Sequence, residues 1–134
     1  MKDKQIEKLI KAEEKRQKKV INLIPSENYA SKDALTALGS IFDDKYSEGY
    51  PGKRYYGGQT NTDKVELLCQ DRALKLFKLN PEEWAVNVQP LSGGPANLAV
   101  YLALVPPGEK VMGLPLTSGG HLSHGQQVSI TGKV

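Results

Sequence analysis

The succession of apolar and polar positions divides the chain into short helical and extended stretches, with no repeat and no low-complexity linker. Residues 3–19 predict a helix: Ile6, Leu9 and Ile10 make a short apolar stripe, and Glu7–Lys11 and Glu14–Lys18 stand four apart in the order that supports a helix. Residues 20–30 predict extended chain, because Pro25 bars the helical region at Ile24. Ser31 is suited to cap a short helix carrying Ala34, Leu35 and Leu38, which Gly39 ends. Thr62 or Asn61 then caps a helix from about Asp63 to Leu79, with Val65, Leu68, Cys69, Ala73 and Leu76 on its apolar face and Asn80-Pro81 closing it. Trp84–Gln89 alternates as a strand does, Pro95 suits the first turn of a helix to about Leu104, and Pro106-Pro107-Gly108 turns the chain into a strand over Lys110–Leu114. The last residues, Val128–Val134, read as the start of a strand or an ordered turn. Helix, strand, loop, helix, strand is the order of a parallel α/β layer.

Between the second and third helices lies the densest chemistry. Tyr46–Gly58 holds four tyrosines, four glycines, a carboxylate and two cations in thirteen positions. Such a segment makes a poor helix and a poor strand. Its glycines let backbone approach a ligand, Pro51 stiffens one corner, and the tyrosines offer flat faces with hydroxyl ends. It reads as a binding loop or as an aromatic surface turn. Within it, Glu48 is an acid or base if the loop is partly dry, and an inert surface glutamate otherwise. Lys53 and Arg54 are a solvated cation pair or an anion clamp, and composition assigns neither.

Two further places carry polar chemistry. Ser92-Gly93-Gly94 between a predicted strand and a predicted helix offers free N–H groups and a positive helix end to an anion, or is a plain connection of small residues. His121 follows two glycines at the expected carboxyl end of a strand, the edge where open α/β sheets bind ligands. His121 and His124 stand three apart with no third ligand at suitable spacing, so no metal site is expected.

Charge and composition narrow the partners. Residues 1–19 hold eight Lys or Arg against four Asp or Glu, a local net of +4 within an overall +3. Without interleaved aromatic residues, this arm reads as a solvated helix packing on a neighbouring subunit, and neither nucleic acid nor membrane is an expected partner. At 134 residues and 39% apolar content the chain makes one modest domain, part of whose apolar surface is expected to need a partner. One cysteine forms no internal disulfide, and no stretch has the character of a signal peptide or a membrane span, so the cytoplasm is the expected compartment. Cys69, on an apolar helix face, is expected to be buried and inert.

Four blocks in order resemble the serine hydroxymethyltransferase family: Leu23-Ile24-Pro25-Ser26-Glu27-Asn28-Tyr29, the tyrosine- and glycine-rich segment from Tyr46, Asn87–Asn97, and Gly119-Gly120-His121-Leu122-Ser123-His124-Gly125. The resemblance runs from about Lys19 to Lys133, but over only the first third or so of a usual family member, so the chain is expected to be a fragment. The family's cofactor-binding lysine, the aspartate that pairs with the pyridine nitrogen and the arginine that holds the substrate carboxylate have no counterpart in these residues. The resemblance implies the α/β fold-type I architecture of pyridoxal phosphate transferases, here as residues 1–30 forming an N-terminal arm and 31–134 beginning the large domain, in a homodimer or higher assembly.

It also implies roles. Pyridoxal 5'-phosphate would be held by Ser92, Gly93 and Gly94, with His121 stacked on its ring, and Tyr46 would contact the phosphate in the neighbouring subunit's site, into which Tyr56 also reaches; the family's usual Ser-Gly-Ser makes Gly94 a departure that loses one hydroxyl donor. Ser26 and Tyr56 would meet the amino acid, serine or glycine. Tyr55, Leu116, Gly120 and Leu122 would shape a pocket for tetrahydrofolate, with Thr117-Ser118 departing from the Asp or His that relatives often carry before the glycines. Glu48 would handle a proton of the serine hydroxyl or of the folate adduct. Alone, the 134 residues are expected to be inactive; the alternatives are a noncatalytic remnant or one piece of a split enzyme completed by a lysine-bearing polypeptide. Aldolases of related β-hydroxy amino acids share the cofactor chemistry, but the SEN and KRYYGG blocks favour the folate-using family.

Overall fold

A computed structural model describes residues 1–133; Val134, the end of the stretch expected to begin a strand or ordered turn, lies outside the described residues. The chain divides into two compact units, Met1–Tyr46 and Ser47–Val134.

In the first unit, helix α1 spans Lys4–Gln17. Asp3 starts it, its carboxylate accepting the N–H groups of Gln5 at 2.9 Å and Ile6 at 3.1 Å. The expected Glu7–Lys11 pair forms at 2.7 Å. The expected Glu14–Lys18 pair does not, because Lys18 stands at the helix end with its backbone N–H on the Glu14 carbonyl. Glu13 binds Arg16 instead, at 2.6 Å. Residues 20–30 carry a turn at Pro25-Ser26, where Glu27 N–H reaches the Ile24 carbonyl at 3.2 Å. Helix α2 covers Lys32–Leu38; Ser31 Oγ accepts from Ala34 N–H at 3.1 Å and Gly39 ends it, both as expected.

The second unit opens with a two-stranded antiparallel hairpin, β1 Gly49–Tyr50 and β2 Lys53–Arg54. Helix α3 follows over Thr60–Leu76 and helix α4 over Gly93–Leu104, with short 3-10 turns at Leu116–Ser118 and Ile130–Gly132. The segment judged a poor strand thus carries the sheet. Pro51 with its fixed φ and Gly52 at φ +75° form the two-residue turn, and Gly49 sits at φ +97° where a Cβ would stand 2.5 Å from the Lys53 carbonyl oxygen.

Several expectations do not hold. Trp84–Gln89 and Lys110–Leu114 form no strand, and no parallel ladder exists among the described residues. A strand persists only against a paired edge, and without one the backbone satisfies itself locally: Trp84 N–H binds the Asn80 carbonyl at 2.9 Å, and Gln89 N–H the Asn87 side chain at 2.9 Å. His121 therefore follows a 3-10 turn and not a strand. Helix α3 starts before its expected caps, at Gln59, which makes no side-chain cap bond. Gln59 is buried and hydrogen-bonded to Ser47 Oγ at 3.3 Å, so this contact and not a capping hydroxyl accompanies the start. At the other end Lys78 takes φ 55°, Lys78 N–H binds Lys75 O at 3.1 Å and Leu79 N–H binds Leu74 O at 2.9 Å, a Schellman closure that stops the helix short of Leu79.

Among the described residues no hydrophobic side chain is buried, and the accessible surface is 12086 Å², against about 7,000 Å² for a compact protein of this mass. Cys69 is exposed, contrary to expectation, because nothing covers the apolar face of α3. No described helix is long and apolar enough to cross a membrane.

Candidate functional site

The hairpin is held by one side chain. Arg54, 4% exposed, donates through Nε to Asp63 at 2.8 Å, through Nη2 to Glu66 at 2.6 Å, and through Nη1 to the carbonyls of Ser47 and Gly49, both at 2.8 Å. Asp63 and Glu66 stand three apart on α3, one face of a helix, so a single guanidinium reaches both. Asp63 also accepts the Gly52 N–H at 3.0 Å, and Gln89 Nε2 reaches both Gly49 O and Glu66 Oε1 at 2.9 Å. Arg54 first, and then the Gly52 N–H, hold the Asp63 carboxyl below its usual range; Asp63 and Glu66 in turn raise Arg54. Arg54 is therefore an internal anchor, neither a solvated cation nor an open anion clamp.

This anchor sets the loop that carries Glu48, Tyr55 and Tyr56. Tyr55 N–H binds the Glu48 carbonyl at 3.2 Å, so those two residues share one closed turn. The side chains of Glu48, Tyr55 and Tyr56 face outward, Tyr55 at 79% exposure. A hub of buried charge lies beneath, and the tyrosine rings above it are exposed. Ser26 and Tyr46 belong to the first unit and both are exposed.

The second cluster lies at α4. Ser92, the residue before the helix, is extended at φ −164° and its hydroxyl caps nothing. Gly93 and Gly94 begin the helix, a Cβ on either would meet nothing within 4 Å, and neither N–H makes a hydrogen bond among the described contacts. Pro95 has no N–H, and the first helical bond is Ala96 N–H to Ser92 O at 3.2 Å. Two free amides, a free hydroxyl and the positive end of a helix make an open anion cradle. The helix begins at Gly93, within the expected first turn, though no strand precedes it.

One turn into α4, Asn97 Nδ2 donates to Ser123 Oγ at 2.6 Å, and Ser123 Oγ lies 2.8 Å from His121 Nδ1. His121 is thereby tied to the helix bearing the cradle. Gly120 closes the loop that carries Leu116: its N–H binds Pro115 O at 3.0 Å, and a Cβ there would overlap the Leu114 carbonyl, so the loop closes only on glycine. Leu116 and Leu122 stay half exposed. His124 pairs with Tyr101 Oη at 2.7 Å, and among the described residues no group of three His, Cys, Asp or Glu is placed to hold a metal.

The sequence reading passed over Arg54, Asp63, Glu66 and Gln89 as a unit, and over Asn97 and Ser123. A helical i, i+3 acid pair following an Arg-bearing hairpin was the available signal for the first group. For the second there was only position inside two blocks already singled out.

Known proteins supply the wider frame. The sequence profile of the serine hydroxymethyltransferase family matches residues 1–134. The cytosolic serine hydroxymethyltransferase of Encephalitozoon cuniculi is 60% identical over 125 residues, covering 93% of this chain and 27% of the relative. A mitochondrial one from Saccharomyces cerevisiae is 59% identical over 120 residues, 90% of this chain and 24% of the relative. The cytosolic one of Oryctolagus cuniculus is 56% identical over 123 residues, 92% and 25% respectively. The chain spans about a quarter of the length of the relatives it matches. With a profile match from end to end and the cradle, histidine and tyrosine blocks in order, the chain belongs to the serine hydroxymethyltransferase family.

Proposed function

We propose that these residues are a segment of a serine hydroxymethyltransferase, which moves the hydroxymethyl group of serine reversibly to tetrahydrofolate, giving glycine and methylene-tetrahydrofolate. The observation that carries the reading is the open first turn of α4, with unused donors at Gly93 and Gly94, tied by Asn97 and Ser123 to the ring of His121. Pyridoxal 5'-phosphate fits this donor set, since a phosphate needs N–H groups and a positive helix end, and a flat pyridine ring needs an aromatic face. When bound, it supplies an electron sink for the bond broken at the amino acid.

In this reading Ser92, Gly93 and Gly94 hold the phosphate and His121 covers the ring, while Tyr46 and Tyr56 reach into the neighbouring subunit's site, Tyr46 to its phosphate. Ser26 and Tyr56 orient serine or glycine. Tyr55, Leu116, Gly120 and Leu122 line the folate pocket. Glu48 holds or releases a proton at the serine hydroxyl or the folate adduct. The whole protein is a fold-type I α/β enzyme, with residues 1–30 as arm and 31–134 opening the large domain. It works as a cytoplasmic homodimer or larger assembly; relatives named cytosolic support the compartment, and others named mitochondrial make it one of two. The uncovered apolar faces of α3 and α4 support packing against more protein than these residues provide.

These 134 residues by themselves contain no counterpart of the family's cofactor-binding lysine and are proposed not to turn over serine. The test is conversion of serine to glycine in the presence of tetrahydrofolate and pyridoxal phosphate by the complete protein carrying this segment. Turnover supports the reading. A complete protein that loads the cofactor yet leaves serine untouched overturns it.

A further inference from the structure

The geometry points to Ser123 and Asn97 as the positioning residues of His121: together they set the rotamer and the tautomer of its ring relative to the helix whose first turn receives the phosphate. The cofactor part of this inference rests on the transferase reading; the rest stands on contacts within the chain.

Ser123 is one of two buried residues among those described, at 6% exposure. Its surroundings are polar on every side. Its N–H donates to His121 Nδ1 at 3.1 Å, its Oγ lies 2.8 Å from the same nitrogen, its Oγ accepts from Asn97 Nδ2 at 2.6 Å, and its carbonyl accepts from Thr131 Oγ1 at 2.8 Å. A backbone N–H only donates. Nδ1 must therefore accept, and the neutral ring carries its proton on Nε2. Because Asn97 donates into Ser123 Oγ, the serine proton is left to point at Nδ1, and the chain of donors runs from Asn97 through Ser123 to His121.

Asn97 is the fifth residue of α4, one turn beyond Gly93. One helix thus presents the amides for a phosphate and the donor that fixes the ring. A ligand bound at both places meets them at a set spacing and angle, with the His121 ring unable to swivel without breaking two hydrogen bonds. The contacts of Ser123 and Asn97 run to His121 and to each other, and in this proposal both act through His121.

The test reads the imidazole nitrogens by NMR in the intact protein labelled with ¹⁵N-histidine, without cofactor, at a pH where imidazole is neutral. The expected result is a pyridine-type Nδ1 and a pyrrole-type Nε2 for His121. Asn97→Asp, whose carboxylate only accepts, should turn the serine proton away from the ring and leave the Ser123 N–H as the one donor to Nδ1, so that the Nδ1 signal moves toward that of an unbonded pyridine-type nitrogen while Nε2 stays pyrrole-type. Ser123→Ala, which keeps the backbone N–H but loses the hydroxyl, should move Nδ1 in the same direction, and Ser123→Thr should keep the original pattern. His124, edge-on to His121 and held by Tyr101, should keep its hydrogen-bonded Nδ1 in each variant, which certifies that the variant is folded. If Ser123→Ala fails that check, the wild-type tautomer and Asn97→Asp decide. A pyrrole-type or averaged Nδ1 in the wild-type protein, or a His121 signal indifferent to Asn97→Asp, overturns the assignment. These signals need no turnover, so a wrong tautomer leaves the transferase reading standing, and an inactive enzyme leaves the positioning reading standing.

Discussion

The carboxylate of Asp63 divides its two oxygens between Arg54 and the turn that Arg54 helps close: Oδ1 accepts from Arg54 Nε at 2.8 Å and Oδ2 from the Gly52 N–H at 3.0 Å. A helix residue and a hairpin turn are joined by one group that can be protonated. Asp63 has a folded pKa below its ordinary 3.8, so its contribution is present above that value and lost as pH falls through the lowered one. Arg54 is held above the usual arginine range by Asp63 and Glu66, so it stays charged throughout and the acid limb belongs to Asp63. The Gly52 amide signal should therefore stay constant from neutral pH to about 4 and titrate only at lower pH. A Gly52 shift that titrates at or above the ordinary aspartate value would show that the pair does not form.

Arg54→Lys keeps the charge but not the fork. Lysine can meet one carboxylate, whereas Arg54 serves two carboxylates and two carbonyls at once. Amide exchange at Tyr55, whose N–H closes the loop on Glu48 O, should accelerate toward that of open peptide, while α1 in the other unit is unchanged. Protection at Tyr55 equal to wild type would remove Arg54 from its role as anchor.

How much of this was legible in the sequence follows from the range of each interaction. The caps of α2, the Glu7–Lys11 pair and the start of α4 near Pro95 are local, and residues a turn apart announced them. Trp84–Gln89 and Lys110–Leu114 carry strand-like patterns, but pattern expresses a preference for a paired edge, and none lies within the described residues. Arg54 shows the opposite failure. Its partners lie 9 and 12 positions away in another element, so composition left it as either solvated or anion-binding, and only the hairpin turn brought the acids to it. The cradle was legible because helix start, glycines and free amides are contiguous; the Asn97–Ser123 link spans 26 residues and was not.

Among the described residues Lys78 is the non-glycine residue with positive φ, at 55° in the closure of α3. A side chain in that region costs about 1 kcal/mol relative to glycine, so Lys78→Gly should slow exchange of the Leu79 amide, bonded to Leu74 O, by about fivefold. Faster exchange would mean that the lost entropy of glycine in the unfolded chain outweighs the relieved strain.

Glu48 faces solvent on a loop whose geometry is held by other residues, so its removal should change chemistry and leave the loop intact. In the complete transferase, Glu48→Gln should lower kcat for serine with tetrahydrofolate by about 10²- to 10⁴-fold, the usual range for a general acid or base. Tyr55 amide protection should be unchanged. Near-normal turnover would end the assignment of Glu48 to proton transfer.

Gly94 offers a gain-of-function test of the cradle. The family resemblance implies a serine at this position, and in this chain a Cβ at Gly94 meets nothing within 4 Å and the backbone has no positive φ to strain. A serine hydroxyl would then join the free amides of Gly93 and residue 94 and the hydroxyl of Ser92 around one anion. A neutral hydrogen bond adds about 0.5 to 1.5 kcal/mol, so Gly94→Ser in the complete transferase should tighten pyridoxal phosphate about 2- to 10-fold, read by equilibrium dialysis. Inorganic phosphate, which shares only the anionic end, should become a better competitor by a similar factor. Tighter cofactor binding without a change for inorganic phosphate would place the new hydroxyl away from the anion and move the phosphate off the first turn of α4.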